Sequence, residues 1–481
     1  MSLPRREFLK AAGRAGAGAA MLSVGGPVFG RLPAGRKPNI ILILADDLGY
    51  SQLGCYGEKR IKTPSVDRLA RQGVRFTDAY SGSPVCAPSR CVLMTGTHTG
   101  HAQIRDNKEI QPEGQGPLAE GTATLPALLK AEGYATGAVG KWGLGFPGSS
   151  GEPGKQGIDY FFGYNCQRHA HNHYPTYLWR NDVRVSIEGN DGGSTGRTYA
   201  GDLFEQEALA FIRRNKDIPF FLFYASTIPH LALQVPEDSL AEYRGLWPEA
   251  PYDGKNGYQP QSNPRAAYAA MVTRLDRSVG RILDLLQTLR LEDETIVLFA
   301  SDNGETFRVG GYDPDFFRGS GPFRDKKGSV YEGGIRVPLI ARWPGRIRPG
   351  RTTDHVCAFQ DLLPTLLDAA GAASRVPSDI DGLSFLPALT EKGTPLEHPH
   401  LYMEFPGYGG QQMVRFGRWK AVRRNLLKNP GAAIELYDLT ADIGETMDCS
   451  AVHSDLVEKA RTIMRAEHRP SKDFPFPALD R

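Results

Sequence analysis

The sequence predicts an α/β protein in which a large parallel sheet carries helices on both faces. Three short, continuous apolar runs, at residues 39–45, 219–225 and 295–300, are typical of strands buried on both faces. Segments with helical periodicity lie between and after these runs, as in βαβ units. Each run is followed within a few residues by acids or a histidine. Because ligands of parallel sheets sit beyond the carboxyl ends of the strands, these polar residues are expected to form one site.

Residues 1–31 have the pattern of an export signal. Arg5 and Arg6 stand in a basic segment, and a weakly apolar Ala/Gly stretch follows to about residue 30. Adjacent arginines before Phe-Leu-Lys resemble the twin-arginine type of signal, which carries folded proteins across the membrane. A surface amphipathic helix is the alternative interpretation. We expect a protein handled by the export machinery, periplasmic or secreted, and leave these residues out of the fold prediction.

The helices that should accompany the strands can be located from periodicity and end signals. They are predicted at residues 124–133, 202–215, 264–291 and 361–370. With the three apolar runs, they define an α/β domain that we place at residues 36–385.

Beyond about residue 385 the pattern changes. Residues 412–422 and 433–439 are predicted as antiparallel strands, and residues 455–467 as a terminal helix. We therefore expect a smaller α+β subdomain at residues 386–481, built on a short antiparallel sheet. Residues 145–197, rich in Gly, His, Tyr and Asn and poor in predicted strands, are expected to form a long functional loop region.

Composition and charge exclude several classes of protein. Apolar residues make up 40% of the 481 residues and charged residues 23%, which is enough for a sizeable core. No apolar run is long enough for a transmembrane segment. Fifty-seven Lys and Arg against 54 Asp and Glu leave no surplus for nucleic-acid phosphates. Six cysteines without a C-x-x-C pair argue against a zinc ribbon, and no G-x-G-x-x-G follows the first strand.

Oxygen ligands follow two of the predicted strands. Asp46 and Asp47 directly follow the first apolar run, and Asp302 and Asn303 follow the third. Either pair alone is more typical of a helix cap or a turn. At the ends of two buried strands, however, the two pairs could enclose one divalent cation. A set of hard oxygen donors favours Ca²⁺ over zinc, with Mg²⁺ as the alternative.

A cysteine stands where a helix is predicted to begin. Cys86 lies in the segment Pro-Val-Cys-Ala-Pro-Ser-Arg-Cys, and Pro88 suits a first helical turn. The free N–H groups of a helix N-terminus favour an anion, and Arg90 adds a positive charge. From these residues alone, a buried structural cysteine is the alternative.

The segment Cys-Ala-Pro-Ser-Arg beginning at Cys86, with Leu-Met-Thr-Gly at residues 93–96, resembles the signature of the type I sulfatases of the alkaline phosphatase superfamily. Further blocks resemble the family in its order: residues 39–47, 140–142, 229–230, 301–304 and 327–338. The resemblance runs from residue 38 to about 440 and so covers nearly all of the chain beyond the export signal. It implies a large, mostly parallel mixed sheet flanked by helices.

The resemblance also implies the site residues. The implied catalytic residues are Cys86, Arg90, Lys141, His230 and Lys327, and the implied metal ligands are Asp46, Asp47, Cys86, Asp302 and Asn303. Lys141, His230 and Lys327 would also bind substrate. Cys86 would be converted to formylglycine (3-oxoalanine) by a formylglycine-generating enzyme during maturation.

The family mechanism uses the hydrated form of that aldehyde. One diol hydroxyl at Cys86 attacks sulfur in line, and Lys141 or His230 protonates the leaving alcohol. The second hydroxyl then loses its proton and expels sulfate, which a serine at this position could not do.

One position departs from the family pattern. The family has a histidine two residues after the lysine of Gly-Lys-Trp, as the base for sulfate expulsion, and this chain has Gly143. The segment at residues 166–173 contains His169, His171 and His173 at alternate positions, which makes them candidate substitutes. A solvent-exposed or substrate-contacting cluster is the alternative, and we expect His169 and His171 to contact substrate.

We therefore expect a sulfatase that hydrolyses sulfate monoesters of carbohydrates, with arylsulfates as surrogate substrates. Tyr, Trp and His in residues 159–180 could stack on sugar or aryl rings. One alternative is a phosphate or phosphonate monoester hydrolase of the same superfamily. The other is an exported, non-catalytic binder of anionic glycans, against which the retention of Cys86 argues.

Overall fold

The computed structural model describes residues 36–480, so the predicted export signal lies outside the described residues. These residues form a ten-stranded mixed sheet, a four-stranded antiparallel sheet and a two-stranded parallel pair. No helix within residues 36–480 is long and apolar enough to cross a membrane. All six cysteines are free thiols.

The strands are β1 (Asn39–Ala45), β2 (Val74–Phe76), β3 (Ala79–Tyr80), β4 (Ala135–Lys141), β5 (Tyr160–Tyr164), β6 (Tyr177–Arg180), β7 (Val183–Ser186), β8 (Phe220–Ala225), β9 (Thr295–Ser301), β10 (Leu339–Arg342), β11 (Arg351–Thr353), β12 (Cys357–Ala358), β13 (Leu401–Phe405), β14 (Gln411–Phe416), β15 (Trp419–Arg423) and β16 (Glu435–Asp438).

The α-helices are α1 (Pro64–Arg71), α2 (Cys86–Thr95), α3 (Leu125–Ala131), α4 (Ala200–Arg214), α5 (Glu237–Leu240), α6 (Pro264–Thr288), α7 (Pro314–Phe317), α8 (Glu332–Ile335), α9 (Leu362–Ala369), α10 (Leu386–Thr390) and α11 (Ser454–Ala466).

The large sheet has the strand order β11-β2-β10-β9-β1-β8-β4-β5-β6-β7. Its five central strands, β9, β1, β8, β4 and β5, are parallel to one another. Antiparallel pairing begins at β10 on one side and at β6 on the other. The predicted α/β class is confirmed, including the mixed sheet that the family resemblance implied. The carboxyl ends of five strands therefore lie side by side along one edge.

The core consists of two layers, one on each face of this sheet. Ile41 and Ile43 of β1 pack in the layer that contains α6, whereas Ile40 and Leu42 pack with α2 and α9. All seven residues of β1 are buried. Because successive side chains of a strand point to opposite faces, a strand covered on both faces has a continuous apolar sequence.

The predicted helices correspond to α3, α4, α6 and α9, and the predicted terminal helix to α11. Helix α6 ends at Thr288, three residues earlier than predicted. The chain leaves the helical path there, since Arg290 adopts a left-handed conformation with φ 57°.

Two features of the prediction are wrong. Residues 145–197 contain β5, β6 and β7 instead of loops alone. The prediction missed β6 and β7 because they lie at the sheet edge, where β7 is mostly exposed and has no apolar run. Residues 412–422 form the hairpin of β14 and β15 and not one strand, because the chain turns at Gly417, which has φ 56°.

The small antiparallel sheet has the order β13-β14-β15-β16 and packs against α11. Strand β13 was not predicted from the sequence. The boundary near residue 385 stays a prediction, and α10, just beyond it, packs Ala388 and Leu389 into the core of the large sheet.

A buried group of charges joins the small sheet to the rest of the molecule. Lys420 of β15 donates a hydrogen bond to Glu332 of α8 (2.8 Å) and lies 2.9 Å from Glu445, and all three side chains are fully buried. Glu332 also pairs with Arg336 at 3.0 Å. Burial opposes ionisation of Glu332, but Lys420 and Arg336 outweigh it and lower its pKa to about 2. Lys420 is therefore shared by two buried carboxyl groups, one of which has Arg336 as a second cation.

Lys420→Met should destabilise the protein by about 3–5 kcal/mol, because it leaves Glu332 and Glu445 buried without their shared cation. Thermal denaturation measures the loss. Lys428→Met, at an exposed position before β16, is the matched control and should leave the melting temperature unchanged. A melting temperature for Lys420→Met equal to that of the control would contradict this account.

Candidate active site

The polar residues that follow the central strands meet at the carboxyl edge of the large sheet. Asp46 and Asp47 follow β1, and Asp302 follows β9. Lys141 is the last residue of β4, and His230 follows β8. All five side chains are buried. The sequence-based expectation that the strand ends converge on one site is confirmed.

Backbone geometry brings both carboxylates of the Asp-Asp pair into the site. Asp47 has φ 63°, a left-handed conformation that turns the chain directly after β1. Its N–H donates to Asp302 Oδ1 at 3.1 Å, and the N–H of Leu48 donates to Ser301 Oγ at 2.9 Å. The ends of β1 and β9 are thus held together by side chains of β9 and the residue after it.

Cys86 is the first residue of α2, as its sequence predicts. The helix is fixed against the end of β9, because Ser89 Oγ donates to the carbonyl of Asp302 (2.5 Å) and accepts from the N–H of Gly82 (3.1 Å). The N–H of Ala87 donates to Asn107 Oδ1 at 3.0 Å. The helix N-terminus therefore points its first side chain at the acidic pair.

The Cys86 thiol lies between an acid and a lysine. Its Sγ is 3.5 Å from Asp46 Oδ1 and 3.5 Å from Lys327 Nζ. Burial raises the pKa of the thiol to about 12, although Lys141 and Lys327 oppose this. Since the thiolate is the reactive form of cysteine, the unmodified side chain is a poor nucleophile at neutral pH.

Three cations balance the three carboxylates of the site. Lys141 Nζ lies 2.6 Å from Asp46 Oδ2, Lys327 Nζ lies 2.6 Å from Asp47 Oδ1, and Arg90 lies 2.8 Å from Asp302 Oδ2. Burial lowers the pKa of each lysine, but the paired aspartate outweighs it and the pKa is raised overall. Arg90, Lys141 and Lys327 therefore stay charged.

The aspartates and the histidine of the site differ in their protonation. Burial opposes ionisation of Asp46, but the charges of Lys141 and Arg90 outweigh it and hold its pKa well below the usual range. Burial and the charge of Asp46 raise the pKa of Asp302 to about 6. His230 Nε2 lies 3.5 Å from Asp47 Oδ2. Burial and the nearby Lys327 lower its pKa well below 6.5, so His230 is neutral at pH 7.

The site offers ligands for a divalent cation. Asp46, Asp47, Cys86 and His230 each have a potential ligand atom within 4.8 Å of the others. Asn303 donates through Nδ2 to Asp47 Oδ1 at 2.8 Å, while its buried Oδ1 has no hydrogen-bond partner within residues 36–480. A group of carboxylates with an unpaired amide oxygen fits a hard cation.

Of the three loop histidines, two approach this cluster. The ring of His171 stacks on that of His230 with centroids 4.7 Å apart. Burial and His230 lower the pKa of His171 well below 6.5. His173 Nε2 lies 2.9 Å from the carbonyl oxygen of His230 and fixes that segment. His169 is not brought into the cluster, since its Nδ1 lies 3.3 Å from Glu113.

A side chain at Gly143 would be strained and would require its neighbour to move. Its φ is 80°, and a β-carbon there would lie 2.2 Å from Gln167 Nε2 and 3.7 Å from Arg90 Cδ. Gln167 is 8% exposed, and neither atom of its amide has a hydrogen-bond partner in the described part of the chain. Gln167 thus fills the space in front of Gly143. Sequence reasoning missed Gln167, because no motif marks a lone glutamine in a loop.

Comparisons with known proteins identify the family. The sequence model of the Sulfatase family matches residues 38–372, and that of the N-sulphoglucosamine sulphohydrolase C-terminal region matches residues 320–465. The N-acetylgalactosamine-6-sulfatase of Canis lupus familiaris is 36% identical over 82% of this chain and 73% of its own length. Human arylsulfatase A is 35% identical over 81% and 75%.

Solved structures agree with this assignment. The crystal structure of Ps i-CgsB is similar with a TM-score of 0.75 and 29% identity, over 92% of this chain and 94% of that one. The chain therefore belongs to the sulfatase family of the alkaline phosphatase superfamily. It is a sulfuric ester hydrolase, and its reaction is the hydrolysis of sulfate monoesters.

Gly143→Ala should lower the melting temperature more than Gly133→Ala does. Both glycines have positive φ, 80° and 85°, but nothing lies within 4 Å of a β-carbon at Gly133. Gly133→Ala is the control and measures backbone strain alone, of the order of 1–3 kcal/mol. The further loss of stability in Gly143→Ala measures the close approach of Gln167. Adding Gln167→Ala to Gly143→Ala should remove that difference. Equal melting temperatures for the two single variants would show that Gln167 does not approach Gly143 closely.

Proposed function

We propose that this sulfatase removes sulfate from sulfated carbohydrates, using a formylglycine made from Cys86 and a bound Ca²⁺. The observation that carries the proposal is the position of Cys86. Cys86 is the first residue of α2, and its Sγ lies 3.5 Å from both Asp46 and Lys327. Burial raises the pKa of the thiol, so little thiolate is present at neutral pH. Conversion of the thiol to an aldehyde, followed by addition of water to form the diol, would give the position a hydroxyl nucleophile that the free cysteine does not supply.

The residues that would hold the cation are Asp46, Asp47, Asp302 and Asn303, together with the oxygen of the modified Cys86. Potential ligand atoms of Asp46, Asp47 and Cys86 lie within 4.8 Å of one another, and Asn303 offers its unpaired Oδ1. The fit rests on the unpaired Oδ1 of Asn303 and on the carboxylates of both strand ends. When bound, a divalent cation supplies electrophilic stabilisation of negative charge, and the hydrated aldehyde supplies two hydroxyl groups. Mg²⁺ is the alternative ion.

Three side chains would bind the sulfuryl oxygens: Arg90, Lys141 and Lys327. Their charges equal those of Asp46, Asp47 and Asp302, so these six groups are neutral together. A divalent cation would make the site positive, which suits an anionic ester. Preorganised positive charge is the main means by which an enzyme can stabilise the transition state of such a reaction.

Proton transfer would involve the neutral histidines and a lysine. Lys141 and His230 are the candidates to protonate the leaving alcohol. His171 stacks on His230 and carries a free imidazole at pH 7, so it is the candidate loop histidine to accept a proton. That His169 contacts substrate stays a prediction. Its ring lies beside Glu113, outside the charged cluster.

The relatives support a carbohydrate substrate. N-acetylgalactosamine-6-sulfatase is named for a sugar sulfate. Ps i-CgsB, at 29% identity, has been crystallised with k-i-k-neocarrahexaose. We therefore propose a sulfated sugar as the natural substrate and an arylsulfate as a convenient surrogate.

The rival functions have less support. The phosphonate monoester hydrolase of Agrobacterium radiobacter is similar with a TM-score of 0.62 at 20% identity, which is a likeness of fold alone. A non-catalytic binder of glycans would have no use for a buried cysteine between Asp46 and Lys327. Catalytic release of sulfate from a sulfate ester would support the sulfatase over both rival functions.

Maturation and export are part of the proposal. A formylglycine-generating enzyme would modify Cys86, and the twin-arginine machinery would export the folded, modified protein through the signal at residues 1–31. The protein would then act in the periplasm or outside the cell.

Protein produced together with a formylglycine-generating enzyme should have lost the sulfur of Cys86 and should release sulfate from N-acetylgalactosamine 6-sulfate. Peptide mass spectrometry and a sulfate assay test both points. Cys86→Ser should fold and complete at most one turnover, since it lacks the second hydroxyl. Cys449→Ser, at a cysteine of the small domain, is the control and should stay active. Full activity with unmodified Cys86 would refute the formylglycine.

Removal of Ca²⁺ by prolonged dialysis against a chelator should abolish activity and lower the melting temperature. Ca²⁺ at about 100 times its Kd should restore about 2.7 kcal/mol to the wild type. Asp302→Asn and Asp47→Asn should lower the activity and should reduce the stabilisation that added Ca²⁺ gives, because each removes a charged ligand. Asp217→Asn, exposed before β8 at the opposite edge of the sheet, is the matched control. Activity and melting temperature that survive chelation would mean that the acidic pairs only cap strand ends.

A further inference from the structure

The loop between β13 and β14 presents one exposed aromatic ring. Its sequence is Pro-Gly-Tyr-Gly-Gly, and Tyr408 in its centre is 62% exposed. Tyr408 has φ 49°, a left-handed conformation that costs free energy for a residue with a side chain. Glycines surround it, and a glycine at this position would avoid the cost. An exposed tyrosine kept in a strained conformation indicates a role for its ring.

The ring of Tyr408 lies beside the active site. Three of its atoms are 3.5 Å from the position that a β-carbon would take at Gly328, so the ring packs against the backbone at Gly328. Gly328 directly follows Lys327, whose Nζ is 3.5 Å from Cys86 Sγ. One short path of contacts thus leads from the nucleophile position to an exposed aromatic ring.

Two phenylalanines hold the ring in place. The ring centroid of Phe405 is 5.6 Å from that of Tyr408, and the centroid of Phe307, in the loop after β9, is 6.4 Å away. These contacts lie within the range of aromatic pairs and leave most of the ring open to solvent. Tyr258, by contrast, is already engaged with His171, with centroids 5.5 Å apart.

We propose that Tyr408 binds the sugar ring that carries the sulfate, by contact between the face of its aromatic ring and the C–H groups of the sugar. The inference rests on the proposed function and adds a residue that determines which alcohol the site accepts. The charged cluster at Lys327 and Cys86 would bind only the sulfate group, whose recognition is the same for every ester. A ring next to it would distinguish a cyclic leaving group from a short chain.

The test compares wild type, Tyr408→Gly and Tyr408→Phe in the full-length modified enzyme. With N-acetylgalactosamine 6-sulfate, Tyr408→Gly should raise KM about tenfold, by analogy with the loss of one aromatic contact. Tyr408→Phe should keep the KM of the wild type, because the contact needs the ring and not the hydroxyl. Inorganic sulfate, used as a competitive inhibitor, should bind all three proteins with the same Ki.

Stability separates a binding role from a structural one. Tyr408→Gly relieves the left-handed strain, so its melting temperature should equal or exceed that of the wild type. Arg290→Gly, at another exposed left-handed position near the amino end of β9, is the matched control and should leave KM unchanged. A lower melting temperature with an unchanged KM for Tyr408→Gly would assign the tyrosine a structural role and overturn the proposal.

A binding measurement removes the dependence on turnover. Calorimetric titration of Cys86→Ala with N-acetylgalactosamine 6-sulfate should give a Kd that the added Tyr408→Gly change raises about tenfold. An equal Kd in both proteins, or no binding of the sugar to either, would overturn the role of Tyr408. The proposed function itself would fail separately, if modified wild-type enzyme released no sulfate from any sugar sulfate.

Discussion

The structure depends on burying six charges at the carboxyl edge of the parallel strands in the large sheet. Asp46, Asp47 and Asp302 come from the ends of neighbouring strands, and their partners come from α2, β4 and a loop. An unpaired buried charge costs several kcal/mol, so each of these residues requires its partner in place. This pairing constrains the strand order, the start of α2 and the path of the segment around Lys327, because each of them positions one of the paired charges.

The small sheet contributes to the site although none of the charged residues belongs to it. It is held by Lys420 between two buried glutamates, one of them on α8, close to the segment that carries Lys327. Its β13–β14 loop then carries Tyr408 to the neighbourhood of Gly328. In the proposed function, the groups that would bind sulfate gather at the carboxyl edge of the large sheet, and a loop of the small sheet is available to contact the rest of the substrate.

The departure at Gly143 illustrates how one position changes its surroundings. Without a side chain at residue 143, the amide of Gln167 occupies the vacant space next to Arg90. The imidazoles nearest to the acids are then those of His230 and His171, which lie on different loops and stack on each other. A histidine introduced at this position alone would meet both the positive φ and the side chain of Gln167.

The sequence alone was sufficient to predict β1, β8 and β9, whose apolar runs are typical of strands buried on both faces, and to place acids or a histidine after them. The motif at Cys86, together with further blocks in the order of the family, indicated the family. The edge strands β6 and β7 could not be predicted, because an exposed strand has no apolar pattern. The sequence also could not predict the pairing of Lys327 with Asp47, which are 280 residues apart, or the contacts of Gln167 and Tyr408. These depend on which loops the folded chain brings together, and packing over long sequence separations leaves no local pattern.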